Sequence, residues 1–533
     1  MPKFVSLEEA ISKIPDNAAL ISGGFGSLGS PEELYSGVRE RFEKEGHPQN
    51  ITFVCGITPG DKTVSTEPYK GLNLGANKLA VPGLLGRIWC GNMTDARAIA
   101  SMLDNNEIPG YLPPMGVMCN LIRCAAAKRP GLITRVGLDT FADPRRDGCA
   151  LNQKARDGFK VVELMEIDGE EYLFYKTPPA DVAFVRATYA DEDGNLSMIH
   201  EAYIGTELEV AVAAHNHGGI VIAQVEQIVP NGTLKTRDIR IHNKLVDYIV
   251  VPKDPMNHRQ CYATTKYRPE LSGEQKFAGN ATKIMPFTLR KVIARRAAME
   301  LVPNIIINLG SGMPSGVGSV AAEEGITGLT CSVESGPMGG QVQEGLAFPG
   351  VANAEVMFAQ TDTIDMYDGG MLDMAFLGGA EIDENGNVNV SKFGGRAIGA
   401  GGYIDISQNA KKVFFMGTFT VGKPDIEITG DGLKINTDGD VKFVKEVQQV
   451  TFSADYARKH GQEIKYITER AVFQLCDTGI ELVEIAPGVD LEKDILDKMA
   501  FKPAISPNLK LMDKRLFSEA VMGIKDEVLS KAE

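Results

Sequence analysis

The stretch Asp181-Val182-Ala183-Phe184 … Asp191-Glu192-Asp193-Gly194-Asn195-Leu196 returns as Asp373-Met374-Ala375-Phe376 … Asp383-Glu384-Asn385-Gly386-Asn387-Val388. The offset is 192 positions both from 181 to 373 and from 191 to 383. In each copy an apolar strand leads into an Asp/Gly/Asn turn and then a second strand or loop. Working outward, each half also opens on a strand, a glycine-rich turn and a helix. Ala18-Ala19-Leu20-Ile21-Ser22 runs into Gly23-Gly24-Phe25-Gly26, and a helix is expected from Ser30-Pro31-Glu32-Glu33. There Ser30 is the N-cap, proline holds the first helical position and Glu33 completes a capping box. Ile305-Ile306-Ile307-Asn308-Leu309 runs likewise into Gly310-Ser311-Gly312-Met313-Pro314 and a small-residue helix to about Glu324. With a further strand at Asn50–Val54, the alternation reads as α/β architecture built from two related open domains in one chain.

The junction falls near 225–285, where Pro230-Asn231-Gly232 and the polar Lys266–Lys276 region, with Pro269 and Gly273, suit a loop-rich connector. Thr429-Gly430-Asp431-Gly432 and Thr437-Asp438-Gly439 read as hairpin turns. Leu516–Glu533 reads as a helix-prone charged tail for a surface or oligomer contact. Ser6 and Glu9 have capping-box spacing for an N-terminal helix.

The 533 residues carry a net charge of −15, which argues against a nucleic-acid binder. A local anion site remains open to it, because amides and a few cations suffice. Eight scattered cysteines form no C-x-x-C pair and no zinc spacing, so they read as buried free thiols. The N-terminus lacks the apolar core of a signal peptide. No apolar run approaches the ~20 residues of a bilayer span. A cytoplasmic protein with no membrane partner is the expectation.

Glu334 is the carboxylate that commands the chemistry. It stands in Thr330-Cys331-Ser332-Val333-Glu334-Ser335-Gly336-Pro337-Met338-Gly339-Gly340. A short β-prone run ends at the acid, and small loop-forming residues follow. An acid at the carboxyl end of a strand lies where open α/β sheets bind ligands. It can serve there as base, acid, metal ligand or covalent nucleophile.

Three glycine loops are candidates to surround it. Gly24-Phe25-Gly26-Ser27-Leu28-Gly29 fits a dinucleotide fingerprint, but the acid expected at the end of the second strand is missing, since Val54 leads to Cys55-Gly56. A tight turn shaping a substrate cleft is the better reading. The Gly310–Pro314 turn could face an anion or oxyanion. Gly394–Gly402 packs five glycines into nine residues, a density that suits close approach of a ligand to the backbone. Arg396 within it is either a phosphate or carboxylate contact or a solvated side chain. Asp362, Asp365, Asp368 and Asp373 lack calcium-loop spacing, Asp368-Gly369-Gly370 reads as a turn, and His215/His217 lack helical zinc spacing. No metal site is expected.

Together these runs resemble the family I coenzyme A transferases, most closely the single-chain propionate or short-chain acyl-CoA:acetate (3-oxoacid) type. The carriers are Ser22–Gly26, Val136-Gly137-Leu138-Asp139-Thr140-Phe141-Ala142-Asp143-Pro144-Arg145, Asn308–Pro314, Val333–Gly336, Met374–Gly378 and Gly399–Gly402. The resemblance spans Ser22 to about Phe517. It implies two related α/β domains, separate subunits in some members, fused here: an alpha-subunit-like domain over 1–230, a connector over 231–285, a beta-subunit-like domain over 286–517 carrying the catalytic glutamate, and a tail over 518–533.

The same resemblance assigns Glu334 as nucleophile and implies ping-pong transfer of CoA from a short-chain acyl-CoA to a carboxylate such as acetate. No cofactor is held permanently, CoA is substrate, and a homo-oligomer, with a tetramer among its forms, is implied. Amides of Gly310, Gly312 and Met313 become the oxyanion candidates. Gly399, Gly401 and Gly402 become CoA-binding candidates. Relatives usually carry Leu-Pro-Gln-Gly where this chain has Pro113-Pro114-Met115-Gly116, so Met115 replaces an amide and implies an altered acyl preference or a slower transferase. Two alternatives stand beside this reading: an acyl-CoA hydrolase using the same glutamate, and a non-catalytic small-ligand-binding module.

Overall fold

The computed structural model describes residues 1–61, 73–263, 265–277, 284–394 and 396–532. Part of the expected connector (264 and 278–283) and Gly395 of the glycine loop lie outside the described residues. The chain forms two compact units that interleave in sequence. The first comprises Met1–Phe277, Val333–Asp365 and Gly394–Asp405; the second comprises Ala278–Ser332, Met366–Phe393 and Ile406–Glu533.

The sheet of the first unit is built on β1 (Lys3–Phe4), β2 (Ala19–Ser22), β3 (Ile51–Cys55), β4 (Leu85–Trp89), β5 (Gly110–Tyr111), β6 (Val182–Asp191), β7 (Ile220–Val229) and β8 (Tyr248–Val250). Their order is β1-β8-β7-β6-β2-β3-β4-β5, and every pairing along it is parallel. A parallel sheet covered on both faces needs strands apolar on both sides. Accordingly β6 is buried at every residue but Tyr189. The stretch 231–285, expected as a connector, contributes β8 and the short strand Ile239–Ile241 to this sheet.

The second unit holds β9 (Ile305–Leu309), β10 (Leu329–Cys331), β11 (Met374–Gly378), β12 (Lys412–Met416), β13 (Glu463–Ile467), β14 (Ala471–Cys476), β15 (Gly479–Ile485) and β16 (Ala504–Leu511) in the order β10-β9-β11-β12-β13-β14-β15-β16. The first five strands in that order are parallel, and β13, β14 and β15 then pair antiparallel.

The repeat seen in the sequence is a repeat of hydrogen bonds. The Asp181 amide donates to the Ala19 carbonyl and its carboxylate accepts from the Ala19 amide, both at 2.9 Å; Asp373 does the same with Ile306 at 3.0 and 3.0 Å. Gly23 donates to the Phe184 carbonyl (3.3 Å) as Gly310 donates to that of Phe376 (2.9 Å). The Asp191 carboxylate accepts from the backbone and side-chain N–H of Asn195 (2.8 and 2.8 Å), and Asp383 accepts from those of Asn387 (2.9 and 3.0 Å). An aspartate that closes its own turn in this way replaces backbone partners the turn cannot supply.

Most local expectations hold. Ser6 caps the helix Leu7–Ile11, a hairpin joins Asp425–Ile428 to Leu433–Thr437, and Gly316–Glu323 is the small-residue helix. Two are corrected. Pro31, not Ser30, is the N-cap of the helix Glu32–Glu45, and no side chain caps it. The Ser30 hydroxyl donates to Glu32 (3.3 Å), and the Glu33 amide is taken by Gln224 (2.9 Å), so tertiary contacts displace the local box. The tail, expected as a helix-prone surface or oligomer contact, does form the short helix Lys525–Leu529, but Met522, Ile524 and Val528 are buried in the core of the second unit. The Glu324 carboxylate fastens it by accepting from the amides of Met522, Gly523 and Ile524 (2.8, 2.8 and 3.1 Å). Six cysteines are buried and Cys331 and Cys476 are half-buried, all of them outside any disulfide. Among the described residues no helix is long and apolar enough to cross a membrane.

Candidate active site

At the carboxyl edge of the first sheet, backbone bonds tie four segments together. The Gly56 carbonyl, just past β3, accepts from Gly91, just past β4 (2.8 Å); the Gly91 carbonyl accepts from Gly401 (2.8 Å); the Gly401 carbonyl accepts from Met115 (2.9 Å), where the helix Met115–Ala126 begins. The glycines are required by this closeness. A Cβ on Gly91 would lie 2.7 Å from the Met115 Cα, and one on Gly399 (φ +80°) would lie 2.8 Å from the Gly91 oxygen. A Cβ on Gly402 would stand 3.0 Å from the Met115 Cε and 3.4 Å from the Glu334 Oε1. The missing side chain is thus the room Glu334 occupies.

Glu334 sits at the corner of a tight turn. The Gly336 amide donates to the Val333 carbonyl (2.9 Å), and the Val333 amide to that of Pro337 (3.1 Å). Gly336 has φ +122°, and a Cβ there would collide with the Phe358 carbonyl oxygen at 2.2 Å. Buried Val333 and Ser335 hold the corner from both sides, with the Ser335 hydroxyl donating to Pro349 O (3.3 Å). The half-buried carboxylate between them is thereby presented on a fixed frame.

Two neighbours escaped the sequence reading. Gln360 is buried and its amide donates to the Met115 sulfur at 3.5 Å. Asp405, also buried, accepts from the Gly116 amide at 3.1 Å. Amides in the first turn of a helix have no intrahelical acceptor and favour negative charge. Burial nevertheless pushes the Asp405 pKa up to about 7; the Gly116 amide opposes this, and the charge of Glu334 adds to the rise. Asp405 follows Gly401-Gly402 by three residues, at the start of the helix Tyr403–Asn409, and that placement was the available signal.

The structure therefore brings together Glu334, Met115 and Gly402. Gly401 uses both its N–H and its C=O within the scaffold, so its peptide is structural. Gly310, Gly312 and Met313 belong to the second unit. The Gly310 amide is committed to Phe376, which removes it from the oxyanion candidates. Gly312 has φ +84° and open space where a Cβ would be. Arg396 is exposed.

The Gly24 turn holds no place for a dinucleotide phosphate. Its amide is taken by the buried Glu207 carboxyl at 3.1 Å, and a Cβ on Gly23 would overlap that group. Burial pushes the Glu207 pKa up to about 8, opposed mainly by the Arg186 amide. Asp362 and Asp365 pair with Arg123 (3.0 and 2.9 Å), and His217 caps the end of the helix Glu207–Asn216. Among the described residues no group of three His, Cys, Asp or Glu side chains could hold a metal.

The coenzyme A transferase family model matches residues 4–252. The chain is 43% identical to the caffeate CoA-transferase of Acetobacterium woodii over the full length of both. It belongs to the family I coenzyme A transferases. The acetate CoA-transferase YdiF of Escherichia coli K12 is 39% identical over 97% of this chain and 96% of its own. The crystal structure of the YdiF acyl-CoA transferase apoenzyme from E. coli O157:H7 superposes with a TM-score of 0.90 over 98% of this chain and 97% of that one. This CoA-transferase accordingly has the two-domain α/β fold of the single-chain members.

Proposed function

We propose that this CoA-transferase works by covalent catalysis through Glu334, exchanging CoA between a short-chain acyl-CoA and a free carboxylate such as acetate. The observation that carries the reading is the Val333–Gly336 turn, which sets a half-buried carboxylate against a glycine with no side chain to obstruct it. The Glu334 carboxylate attacks the thioester carbonyl, the C–S bond breaks and CoA leaves as thiolate. The resulting acyl-glutamyl anhydride is attacked at the glutamyl carbonyl by the thiolate, which releases the first acid as carboxylate and leaves a glutamyl thioester. An incoming carboxylate reverses both steps and departs as acyl-CoA. Each step exchanges one acyl bond for another, and turnover is ping-pong.

A thioester complex with CoA described for the E. coli O157:H7 YdiF relative, 39% identical, supports the intermediate. Asp405 supports Glu334 as the reactive member of the pair. Burial, with the charge of Glu334 adding to it, raises the Asp405 pKa, so Asp405 holds its proton more firmly than an ordinary aspartate, and its bond to Gly116 fixes the start of the Met115 helix beside it. The acyl-CoA is substrate rather than resident cofactor, and the enzyme acts as a homo-oligomer in the cytoplasm. Incubation with acyl-CoA, borohydride reduction and peptide mass spectrometry tests the mechanism. The expected product is an alcohol at position 334; full activity of Glu334→Gln, free of deamidated enzyme, would overturn it.

A further inference from the structure

Met115 and Gln360 open two helices, Met115–Ala126 and Gln360–Asp368, and their side chains meet. Further along, the two helices are laced together. Asn120 donates to Asp365 (3.0 Å), and Arg123 donates to Thr361, Asp362 and Asp365 (2.6, 3.0 and 2.9 Å). The Gln360 backbone amide donates to the Gly205 carbonyl (3.3 Å), which fixes the start of its helix. The side chain is only 2% exposed, and its Nε2 donates to the Met115 sulfur at 3.5 Å. Its Oε1 lies toward Gly56, 4.0 Å from where a Cβ on that glycine would be.

A thioether is a weak acceptor, so this contact adds little to stability. What it can do is orient. An unbranched methionine has three rotatable bonds and fills whatever gap is nearest. A donor approaches sulfur along its lone pairs, away from both C–S bonds, so Gln360 holds the methyl group off its own side. The methyl indeed stands elsewhere. Met115 Cε is 3.0 Å from the point a Cβ on Gly402 would occupy, and Glu334 Oε1 is 3.4 Å from the same point. The methyl and the carboxylate therefore border one vacancy, and an acyl group bonded to that carboxylate begins beside the methyl.

We propose that Gln360 is a positioning residue for acyl selectivity: by holding the Met115 sulfur it fixes the Met115 methyl as a wall beside the acyl group on Glu334. The inference rests on the covalent reading of Glu334.

The test compares kcat/KM for acetyl-CoA and isobutyryl-CoA in wild type, Gln360→Met, Met115→Leu and the double variant, all full-length. Gln360→Met keeps length and volume and removes the N–H donor. A released methyl yields to a branched chain, so the isobutyryl-to-acetyl ratio should rise by roughly 2- to 10-fold, the worth of one hydrogen bond. The rise should vanish when Gln360→Met is added to Met115→Leu, which has no sulfur to hold. If Gln360→Met does not fold, Gln360→Leu makes the same comparison. A glutamine that merely supports the fold would slow both substrates by one factor, so an unmoved ratio overturns the proposal, as does an equal rise in both backgrounds. Borohydride reduction and peptide mass spectrometry keep the two readings apart. An unmoved ratio with the alcohol still formed at position 334 sinks the positioning role alone; absence of that alcohol in wild type sinks the covalent reading beneath it.

Discussion

The two halves place the same strand in the same position and end it differently. Ala19 pairs with Thr52 in the first sheet as Ile306 pairs with Thr330 in the second, and Asp181 and Asp373 bond to Ala19 and Ile306 alike. Four residues past Thr52 the chain has Gly56; four past Thr330 it has Glu334. Gly56 gives its carbonyl to Gly91 and passes straight into the loop scaffold. Glu334 instead stands on a turn of its own, built by Gly336 and Pro337. The repeated frame supplies a location at a strand end, and one side chain in one copy turns it into a reactive centre.

Removing that difference should have the largest effect. Glu334→Gly, which gives the second copy the residue of the first, and Glu334→Gln should each lower the CoA-transfer rate by about 10⁴-fold or more, the scale seen when a covalent nucleophile is lost. Thermal unfolding should stay within about 0.5 kcal/mol of wild type, since the turn is held by its neighbours. A large loss of stability would mean that the side chain belongs to the frame.

The frame itself is tested by its aspartates. Asp191→Ala and Asp383→Ala each remove the acceptor for two N–H groups of the following asparagine at a buried site. Each should cost about 2–3 kcal/mol in urea unfolding. If one is costly and the other neutral, the structural repeat is not an energetic one.

These aspartates also show what the sequence could reveal. Asp181, Asp191, Asp373 and Asp383 act on residues of a local turn or an adjacent strand, so their spacing survives as a readable repeat. The Glu334 turn was legible for the same reason. Asp405, Gln360 and Glu207 were not, because their contacts to Gly116, Met115 and Gly24, 289, 245 and 183 residues away, lie outside the repeated pattern. Ser30 failed in the opposite direction: a sound local capping signal lost its partners to Gln224 and to Glu32's own contacts. The interleaving of the two units has no compositional mark, since Val333–Asp365 returns to the first unit directly after a strand of the second.

A further contrast concerns pH. Gly23 and Gly310 open their turns alike, each giving its amide to a carbonyl, but in the first turn the next residue, Gly24, gives its amide to an ionisable carboxyl, Glu207. The folded Glu207 pKa, about 8, lies above its ordinary value of 4.5. The native state therefore holds this proton where the unfolded chain has lost it. Its stabilising contribution is whole below about pH 4.5 and drains away as pH rises through about 8, by on the order of 5 kcal/mol. Glu207→Gln should flatten that part of the stability–pH curve, at a constant cost of about 1–3 kcal/mol for one mismatched amide contact. An unchanged slope would show that Glu207 is ionised throughout.

The smallest effect expected is at Met115, and it bears on the reactive copy alone. The side chain is fully buried, its methyl group stands against Gly402 and its sulfur accepts weakly from Gln360. A glutamine there has nearly the same length, gives the Gln360 amide an oxygen acceptor and points an N–H donor toward the Glu334 side of the loop. Stability should change by less than about 1.5 kcal/mol, because volume is kept and the new polar group has a partner. The effect should appear in selectivity: Met115→Gln should change the ratio of kcat/KM between small and bulky acyl-CoAs by up to about tenfold, with the small polar acyl groups gaining. Identical ratios across an acyl-CoA panel would show that Met115 only fills space, and that acyl preference is set elsewhere than at the start of this helix.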